Sequence, residues 1–215
     1  FEDKHTVEVA LNDGGTRTFR AEKIFINTGT RNHVLDLPGL ETVPFLDSTS
    51  IMELSDVPAH LVISGGGYIG LEFGQMFRRF GAEVTILEQG SRLIAREDAD
   101  VSEAVTQILR DEGITFVFDA KAQAVQREAN GVALEIATPD GQRVVQGSHL
   151  LVGVGRKPNT DALNLSAAGI VTDERGFIKV DENLQTTVPG VYALGDVKGG
   201  PAFTHISYDD YRIVR

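Results

Sequence analysis

The stretch from residue 60 to residue 88, HLVISGGGYIGLEFGQMFRRFGAEVTILE, carries the pattern that decides the fold. A short apolar run leads into a glycine cluster and then into large apolar residues spaced three and four apart. This spacing predicts a strand, a tight turn and a helix whose apolar face is formed by Ile69, Phe73, Met76, Phe77 and Phe80. Gly81 is predicted to end the helix, and a second buried run closes on Glu88. The stretch is therefore typical of a β-α-β unit with a parallel sheet.

The glycine cluster has the spacing of a dinucleotide-binding turn. It reads Gly65-Gly66-Gly67-Tyr68-Ile69-Gly70, a G-x-G-x-x-G between a strand and a helix. Gly65 would allow the tight turn, Gly67 the approach of a pyrophosphate, and Gly70 close packing of the helix on the strand. The first helix amides would then face the phosphates. A glycine-rich turn without a ligand is the alternative, but the flanking strand and helix and the acidic residue that follows favour dinucleotide binding.

That acidic residue is Glu88, which lies 18 positions beyond Gly70. A carboxylate about 20 residues after the turn commonly contacts the adenosine ribose, and it repels a 2′-phosphate. We therefore expect NAD as the cofactor, with NADH preferred over NADPH. A solvated charge at a strand end is the alternative role for Glu88. Arg92 and Arg96 would favour NADPH instead, because either would pair with a 2′-phosphate if its loop turned inward.

The rest of the middle of the chain continues the alternation. Asp100 with Glu103 predicts a capping box for a second helix, with an apolar face formed by Val101, Val105, Ile108 and Leu109. A strand is expected at 114–118, and three antiparallel strands are expected at 121–128, 131–138 and 142–147.

The two ends of the chain predict further β structure. We expect a hairpin from 5–11 and 16–20, a loop-like connector over 31–50, a helix from about Thr204, and strands at 23–27, 149–154, 176–180 and 191–194. The segment 186–196, TTVPGVYALGD, would place the Asp196 carboxylate at the carboxyl edge of a sheet, the usual position for ligand contact in open α/β folds. A simple turn at Gly195-Asp196 is the alternative.

Composition excludes several classes of function. The chain has 31 acidic and 20 basic residues, and its formal net charge of −11 argues against nucleic acids and anionic membranes as partners. It contains no cysteine, so these 215 residues supply no disulfide and no cysteine metal site, and we predict no metal. No signal-peptide pattern follows Phe1, and the last residues read as an interrupted helix. We expect a cytoplasmic fragment of a longer protein.

Several strings together resemble the pyridine nucleotide-disulfide oxidoreductase family, which includes glutathione, mercuric and dihydrolipoamide reductases. They are ISGGGYIGLEFGQMFRRFGAEVTILE, GVGRKPN and TTVPGVYALGDV. The strings AEKIFINTGT and FTHISYDDYRIVR are more similar to its mercuric-reductase-like branch, which includes flavoproteins of reactive-chlorine resistance. These strings occur in the same order as in the family, and together they cover nearly the whole chain.

The resemblance implies roles for particular residues. It places Tyr68 over the nicotinamide side of a flavin and Glu72 beside the nicotinamide, which makes both candidate catalytic residues. Spacing and resemblance together make the following residues candidates for binding or bordering NAD: Gly65, Gly66, Gly67, Tyr68, Ile69, Gly70, Glu88 and Arg92, with Gly155 and Arg156 in the turn that closes the NAD domain. Those implied to lie near FAD are Thr28, Gly29, Gly195, Asp196, Phe203 and Thr204.

The resemblance also implies a domain order and an activity. An NAD(P)-binding domain at 47–156 would be inserted between two pieces of an FAD-binding domain, at 1–46 and 157–215. The full-length protein would pass hydride from NAD(P)H to the flavin and electrons on to a disulfide or another acceptor. It would form a homodimer through a domain outside these residues, and the fragment alone would be inactive. Two alternatives remain at this point: a cysteine-free NADH-dependent flavoprotein reductase, and a non-catalytic NAD-binding redox sensor.

Overall fold

The computed structural model describes residues 1–215, which divide into two compact units. Residues 32–155 form one of them, called here the middle unit. Residues 1–31 and 156–215 form the other, called the terminal unit because it contains both ends of the chain.

The elements of both units are numbered in chain order. The strands are β1 (Thr6–Ala10), β2 (Thr16–Arg20), β3 (Ile24–Ile26), β4 (Thr30–Asn32), β5 (His60–Ser64), β6 (Glu83–Leu87), β7 (Thr115–Val117), β8 (Lys121–Glu128), β9 (Gly131–Thr138), β10 (Gly141–Gly147), β11 (His149–Val152), β12 (Arg156–Pro158) and β13 (Val191–Ala193). The α-helices are α1 (Tyr68–Arg79), α2 (Ala99–Asp111), α3 (Leu165–Ala168) and α4 (Thr204–Val214). Short 3₁₀ helices span Leu40–Thr42, Ser50–Glu53 and Gly195–Lys198.

The middle unit is built on a four-stranded parallel sheet in the order β11-β5-β6-β7. This confirms the parallel arrangement predicted from the alternating buried runs. The helical face of the sheet carries Leu61, Ile63 and Ile86, which pack with Phe77 of α1 and Leu109 of α2. Because the sheet is covered on both faces, β5 and β6 are buried at every position after the first.

A three-stranded antiparallel sheet in the order β10-β9-β8 covers the other face. Val125, Leu134 and Ile136 pack there against Val62 and Leu150 of the parallel sheet. The strands predicted from period-2 patterns split by Asn-Gly and Asp-Gly turns are thus confirmed. A register shift between Ala122 and Ala124 in β8 is the one irregularity between β8 and β9.

The predicted buried face of α1 needs one correction. Phe77 is buried, but Phe80 is 59% exposed. The helix ends at Arg79 and the chain turns away at Gly81, where φ is +106°, so Phe80 no longer faces the sheet. Gly74 takes a central place on the face instead, since a Cβ there would lie only 3.0 Å from the Cδ1 of Ile86.

The prediction for α2 was wrong in two respects. Its N-cap is Asp98, whose side chain makes no capping hydrogen bond, and the Asp100 carboxylate accepts the amide of the adjacent Val101, so the Asp100–Glu103 capping box does not form. Val101 and Ile108 are 44% and 56% exposed, while the buried positions are Ser102, Thr106 and Leu109. Hydroxyl groups tolerate this burial because both find acceptors: Ser102 donates to the Leu93 carbonyl and Thr106 to the Ser102 carbonyl.

The terminal unit contains three pairs of strands, the helices α3 and α4, and a small apolar core. β1 and β2 form the predicted antiparallel hairpin, β13 pairs parallel with β3, and β12 pairs with β4. The core includes Ile26, Leu165, Ile178, Val191 and Val197.

Two predictions for the loops differ from the structure. The segment 176–180 is not a strand, since it contributes only an isolated bridge between Thr172 and Ile178. The Asp173 carboxylate accepts the amides of Arg175 and Phe177, which turns the chain before a ladder forms. The connector at 31–50 is more ordered than predicted, because it contains part of β4 and the 3₁₀ helix at Leu40–Thr42.

Candidate functional site

The glycine-rich turn joins the end of β5 to the start of α1. Gly65 has φ of +115°, and a Cβ there would lie 2.6 Å from the Gly153 carbonyl oxygen. A Cβ on Gly70 would collide with the Gly65 carbonyl oxygen. Both positions therefore require glycine for the close approach of strand, turn and helix.

Gly67 differs from its neighbours because it faces open space. It is the N-cap of α1, its φ of −87° is open to any residue, and a Cβ there would meet nothing within 4 Å. No side chain caps the helix, so the first amides, among them those of Tyr68 and Ile69, point toward this space. The backbone thus presents hydrogen-bond donors and the positive end of the helix dipole at a place where an anion fits.

Glu88 follows β6 directly and connects two turns. Its Oε2 accepts a hydrogen bond from the Gly66 amide and its Oε1 one from the Gly90 amide, each at 2.7 Å. A carboxylate offers about four lone-pair sites, so each oxygen retains capacity for a further donor such as a ribose hydroxyl. The sequence predicted the position of Glu88 but gave no sign of this link between the turns.

The loop after Glu88 lies against the glycine-rich turn. The Ile94 amide donates to the Gly66 carbonyl at 3.1 Å, and the Leu93 side chain is fully buried. A Cβ on Gly66 would lie 2.7 Å from the Cδ2 of Leu93, which explains the middle glycine of the cluster. Arg92 donates from Nη2 to the Ala95 carbonyl at 2.8 Å, so its guanidinium is held on its own loop.

Tyr68 and Glu72 lie one helical turn apart at the start of α1, and both are exposed. The Tyr68 hydroxyl donates to Oε1 of Glu97 at 2.5 Å. This hydrogen bond to a carboxylate favours the neutral phenol and raises the pKa of Tyr68 above its ordinary value. Glu97 was not predicted as a site residue, and no motif marks it in the sequence.

In the terminal unit, Thr28 and Gly29 are joined to the segment after β12. The Thr28 hydroxyl donates to the Asn159 carbonyl, and the Asn159 side-chain amide donates to the Thr28 carbonyl, both at 2.9 Å. The Asn159 backbone amide donates to the Gly29 carbonyl at 3.0 Å. These three bonds fix the end of the segment that follows β3.

Arg156 and Asp196 meet at Thr30. The Arg156 guanidinium donates to the Thr30 hydroxyl oxygen and to the Thr30 carbonyl, each at 2.8 Å. The Thr30 hydroxyl in turn donates to Oδ2 of Asp196 at 3.2 Å. Gly155, the last residue of the middle unit, has φ of +129° and its carbonyl accepts the His33 amide.

The Gly195-Asp196 turn is held by a buried ion pair. Oδ2 of Asp210 accepts the Gly195 amide at 2.8 Å and lies 3.3 Å from Nζ of Lys198. The two side chains are only 7% and 14% exposed. Neither Asp210 nor Lys198 was predicted from the sequence, because a single charged residue in a helix or turn carries no motif.

The start of α4 completes this part of the terminal unit. Phe203 is its N-cap, Thr204 is its first residue, and no side chain caps the helix. The Phe203 ring stacks on His205 with centroids 5.4 Å apart. Gly199 and Gly200, both with positive φ, lead the chain from the Asp196 turn to this helix.

Comparison with known proteins places the whole arrangement in one family. The family model for pyridine nucleotide-disulphide oxidoreductases matches residues 1–210. The chain belongs to the pyridine nucleotide-disulphide oxidoreductase family. Members of this family are oxidoreductases that depend on FAD and NAD(P)H, which confirms the resemblance that the glycine-rich turn and the TTVPGVYALGDV segment indicated.

The similar proteins include reductases of several kinds. The chain is 43% identical over its whole length to the probable pyridine nucleotide-disulfide oxidoreductase RclA of Escherichia coli, covering 48% of that protein. It is 42% identical over 96% of its length to a mercuric reductase of Streptomyces lividans, covering 44% of it. The chain thus spans about half the length of the relatives it matches.

The fold of the family is also present in solved structures. The copper(II) complex of the HOCl-induced flavoprotein disulfide reductase RclA of Escherichia coli matches with a TM-score of 0.90 at 42% identity, over 100% of this chain and 48% of that one. The predicted α/β class, a parallel sheet with an antiparallel layer, is therefore confirmed by the fold that this family shares.

The structure brings some predicted residues together and adds others. In the middle unit Gly66 contacts Glu88 and Leu93. Gly65 lies against Gly153, and Tyr68 contacts Glu97. Gly153 lies near the end of the strand predicted at 149–154, so its place beside the turn could be inferred from the sequence. No sequence pattern marks Leu93. No group of three His, Cys, Asp or Glu residues is arranged to hold a metal ion, and no helix is long and apolar enough to cross a bilayer.

Proposed function

We propose that this chain forms the nicotinamide-nucleotide site and part of the flavin site of an FAD-dependent NAD(P)H oxidoreductase. The observation that carries the proposal is the glycine-rich turn of the middle unit, which presents uncapped helix amides to open space beside Glu88. Such a turn at the carboxyl edge of a parallel sheet is the preferred location for a dinucleotide.

The residues present fit the nucleotide. The open space in front of Gly67 admits a pyrophosphate against the backbone, with the amides of Tyr68 and Ile69 as donors. Glu88 has acceptor capacity left for the adenosine ribose hydroxyls while it holds Gly66 and Gly90.

Preference for NADH over NADPH is the finer part of the proposal. Each ribose hydroxyl bond to the Glu88 carboxylate contributes about 1.5–3 kcal/mol. A 2′-phosphate would lose those bonds, and repulsion from the carboxylate would add about 4 kcal/mol at 4 Å with an effective dielectric constant near 20. Arg92 is bonded to the Ala95 carbonyl, and an exposed ion pair contributes only about 0–1 kcal/mol, so the repulsion dominates.

The flavin half of the proposal rests on the terminal unit. Oδ2 of Asp196 accepts the Thr30 hydroxyl at 3.2 Å, and a carboxylate has about four acceptor sites, so it suits a hydroxyl-bearing ligand. Thr28 and Gly29, Gly195, and the uncapped start of α4 at Phe203 and Thr204 would border the same group. When bound, the flavin supplies acceptance of hydride from the nicotinamide and onward electron transfer to a disulfide or another acceptor.

Tyr68 and Glu72 are the proposed residues nearest to the nicotinamide. A tyrosine hydroxyl is protonated at neutral pH, and the hydrogen bond to Glu97 raises the pKa of Tyr68 further, so its ring would act as a neutral cover that excludes water. Glu72 is exposed one turn further along α1, where its carboxylate would orient a polar group of the ligand. Arg156 and Gly155 would act indirectly, by fixing the segment at which the chain leaves the middle unit.

The longer protein is proposed to be a homodimer in the cytoplasm. The acidic balance of the chain, with a net charge of −11, supports neither a nucleic-acid partner nor an anionic membrane surface. The partner that we propose for these residues is the nicotinamide nucleotide itself.

Gly67→Ala tests the nucleotide site with little risk to the fold. A methyl group there meets no neighbour in the protein and requires no positive φ, but it occupies the space where the phosphates would approach. We expect saturable NADH binding by the unmodified chain, seen in nucleotide fluorescence, and a loss of affinity of about tenfold or more in the variant. Thermal melting should change little, because alanine for glycine at an N-cap costs at most about 1 kcal/mol. Equal NADH affinity of the two chains would contradict the proposed site.

A further inference from the structure

The loop after Glu88 contains a strained residue. Ile94 has φ of +37°, in the left-handed region that a β-branched side chain seldom adopts. Such a conformation persists only where the surroundings hold it, and it concentrates at ligand-binding segments. The contacts that hold Ile94 therefore determine the shape of this loop.

The Ile94 carbonyl accepts the Glu97 amide at 2.8 Å, and three further contacts hold the strained position. The Ile94 amide donates to the Gly66 carbonyl at 3.1 Å, which ties the loop to the glycine-rich turn. The Leu93 side chain is fully buried beside Gly66. The Leu93 carbonyl accepts the hydroxyl of Ser102 at 2.8 Å, and Ser102, on α2, is itself only 2% exposed.

The Ser102 hydroxyl is the contact that comes from outside the turn and the loop. The Leu93 carbonyl receives no backbone hydrogen bond in the structure, so this hydroxyl is its donor. A buried carbonyl that loses its donor is destabilised, and the backbone around it shifts to find another. Without the hydroxyl, the strain at Ile94 favours relaxation of the loop away from the glycine-rich turn.

The same loop carries the charge that would attract a 2′-phosphate. Arg92 precedes Leu93, and its Nη2 is held by the Ala95 carbonyl at 2.8 Å in the conformation that Ser102 supports. Relaxation of the loop would break that local bond and free the guanidinium to pair with a phosphate near Glu88. The loop conformation thus determines whether Arg92 attracts a 2′-phosphate that the Glu88 carboxylate would repel.

We propose that Ser102 is a positioning residue for nucleotide discrimination: it holds the Leu93–Ile94 turn in the conformation that keeps Arg92 on its own loop and leaves Glu88 to select NADH. This inference rests on the proposed nucleotide site and deepens it. Ser102 would touch neither nucleotide, since its hydroxyl acts through the Leu93 carbonyl.

The test compares NADH and NADPH affinities of Ser102→Ala with those of a matched control, Thr106→Val. Thr106 is one turn further along α2 and is also buried, but its hydroxyl donates to the Ser102 carbonyl within the helix. We expect the NADPH-to-NADH ratio of dissociation constants to fall roughly three- to tenfold in Ser102→Ala, the effect of one neutral hydrogen bond. The control should stay within about twofold of the unmodified chain. Adding Arg92→Ala to Ser102→Ala should restore most of the ratio.

The measured affinities distinguish failure of the Ser102 positioning role from failure of the proposed nucleotide site. If Ser102→Ala weakens both nucleotides equally, or if Arg92→Ala restores nothing, the positioning role is overturned while the proposed nucleotide site stands. If the unmodified chain binds neither nucleotide, the proposed site and this inference both fail. Ser102→Cys, which keeps the volume with a weaker donor, covers the case in which Ser102→Ala does not fold. It should move the ratio in the same direction by a smaller factor, and an unchanged ratio would overturn the proposal.

Discussion

The two candidate sites are built in different ways. The nucleotide site of the middle unit comes mainly from one stretch, residues 65–97, and is held largely by backbone sterics and by amides that bind Glu88. The flavin-side site of the terminal unit draws on segments near residues 28, 156, 196 and 210, and is held by charged side chains. A site made by a local turn is marked by one spacing motif in the sequence, whereas the side-chain contacts that join distant segments are not.

This difference predicts different sensitivities to substitution. Residues of the nucleotide site should affect ligand affinity more than stability, because its backbone is fixed by short-range geometry. Residues of the flavin-side site should affect stability first, because a buried charge left without its partner is costly.

The largest effect is expected for Asp210→Ala. Removing this carboxylate leaves the Lys198 ammonium, which is 14% exposed, without its partner, and leaves the Gly195 amide without its acceptor. Breaking a buried pair from one side costs about 3–5 kcal/mol of unfolding free energy. Urea denaturation of the variant measures this loss directly.

Asp209→Ala is the matched control for that variant. Asp209 is the neighbouring residue, and its ion pair with Arg212 is well exposed, with the two side chains 60% and 66% accessible. Exposed pairs contribute about 0–1 kcal/mol, so the control should unfold close to the unmodified chain. If both variants lost the same stability, the contrast between a charge-held and a turn-held site would not hold.

The second effect concerns Glu88→Gln and measures discrimination between nucleotides. The amide side chain keeps one acceptor but loses the charge that would repel a 2′-phosphate. We expect NADPH affinity to rise relative to NADH by about tenfold or more, from the loss of charge-assisted bonds worth about 1.5–3 kcal/mol. The measurement is titration with both nucleotides at one ionic strength.

Only the ratio of affinities is diagnostic for Glu88. Its carboxylate also holds the amides of Gly66 and Gly90, so the variant will loosen the turn and weaken both nucleotides together. A ratio that stays constant while both affinities fall would assign Glu88 a purely structural role and would place nucleotide selection elsewhere.

The fold of the middle unit was largely readable from the sequence because each element has its own local signal. Period-2 segments and Asn-Gly or Asp-Gly turns located β8, β9 and β10 within a residue. The buried face of α2 was not readable, since apolar spacing favoured Val101 and Ile108 over Ser102. Burial of the Ser102 hydroxyl depends on the Leu93 carbonyl nine residues earlier, a contact that periodicity does not encode.

The same limit on prediction from sequence applies to the residues of the candidate site. Gly65, Gly67, Gly70 and Glu88 were predicted from spacing, because tight turns and strand ends constrain residue type. Glu97 and Asp210 were missed because each acts through one side-chain bond across an unpredictable distance in sequence. Long-range polar contacts are fixed by the packing of the finished fold, so they become visible only in three dimensions.

The smallest effect is expected at the pair of Tyr68 and Glu97, where the nucleotide site does depend on a side-chain contact. The hydrogen bond to the Glu97 carboxylate raises the pKa of Tyr68 above its ordinary value of 10.0. A group whose pKa is raised on folding contributes stability at pH values below its unfolded pKa and loses it as the pH rises through the folded pKa. The contact is therefore complete at neutral pH and is lost only in alkaline solution above pH 10.

In Glu97→Gln the acceptor is neutral, so the Tyr68 pKa should fall back toward its ordinary value, as ultraviolet titration of tyrosinate would show. Asp98→Asn, a neighbouring exposed carboxylate with no hydrogen bond to the Tyr68 hydroxyl, serves as the control. If Glu97→Gln left the titration unchanged, Glu97 would not be the partner of the hydroxyl in solution, and the nucleotide site would not depend on this contact.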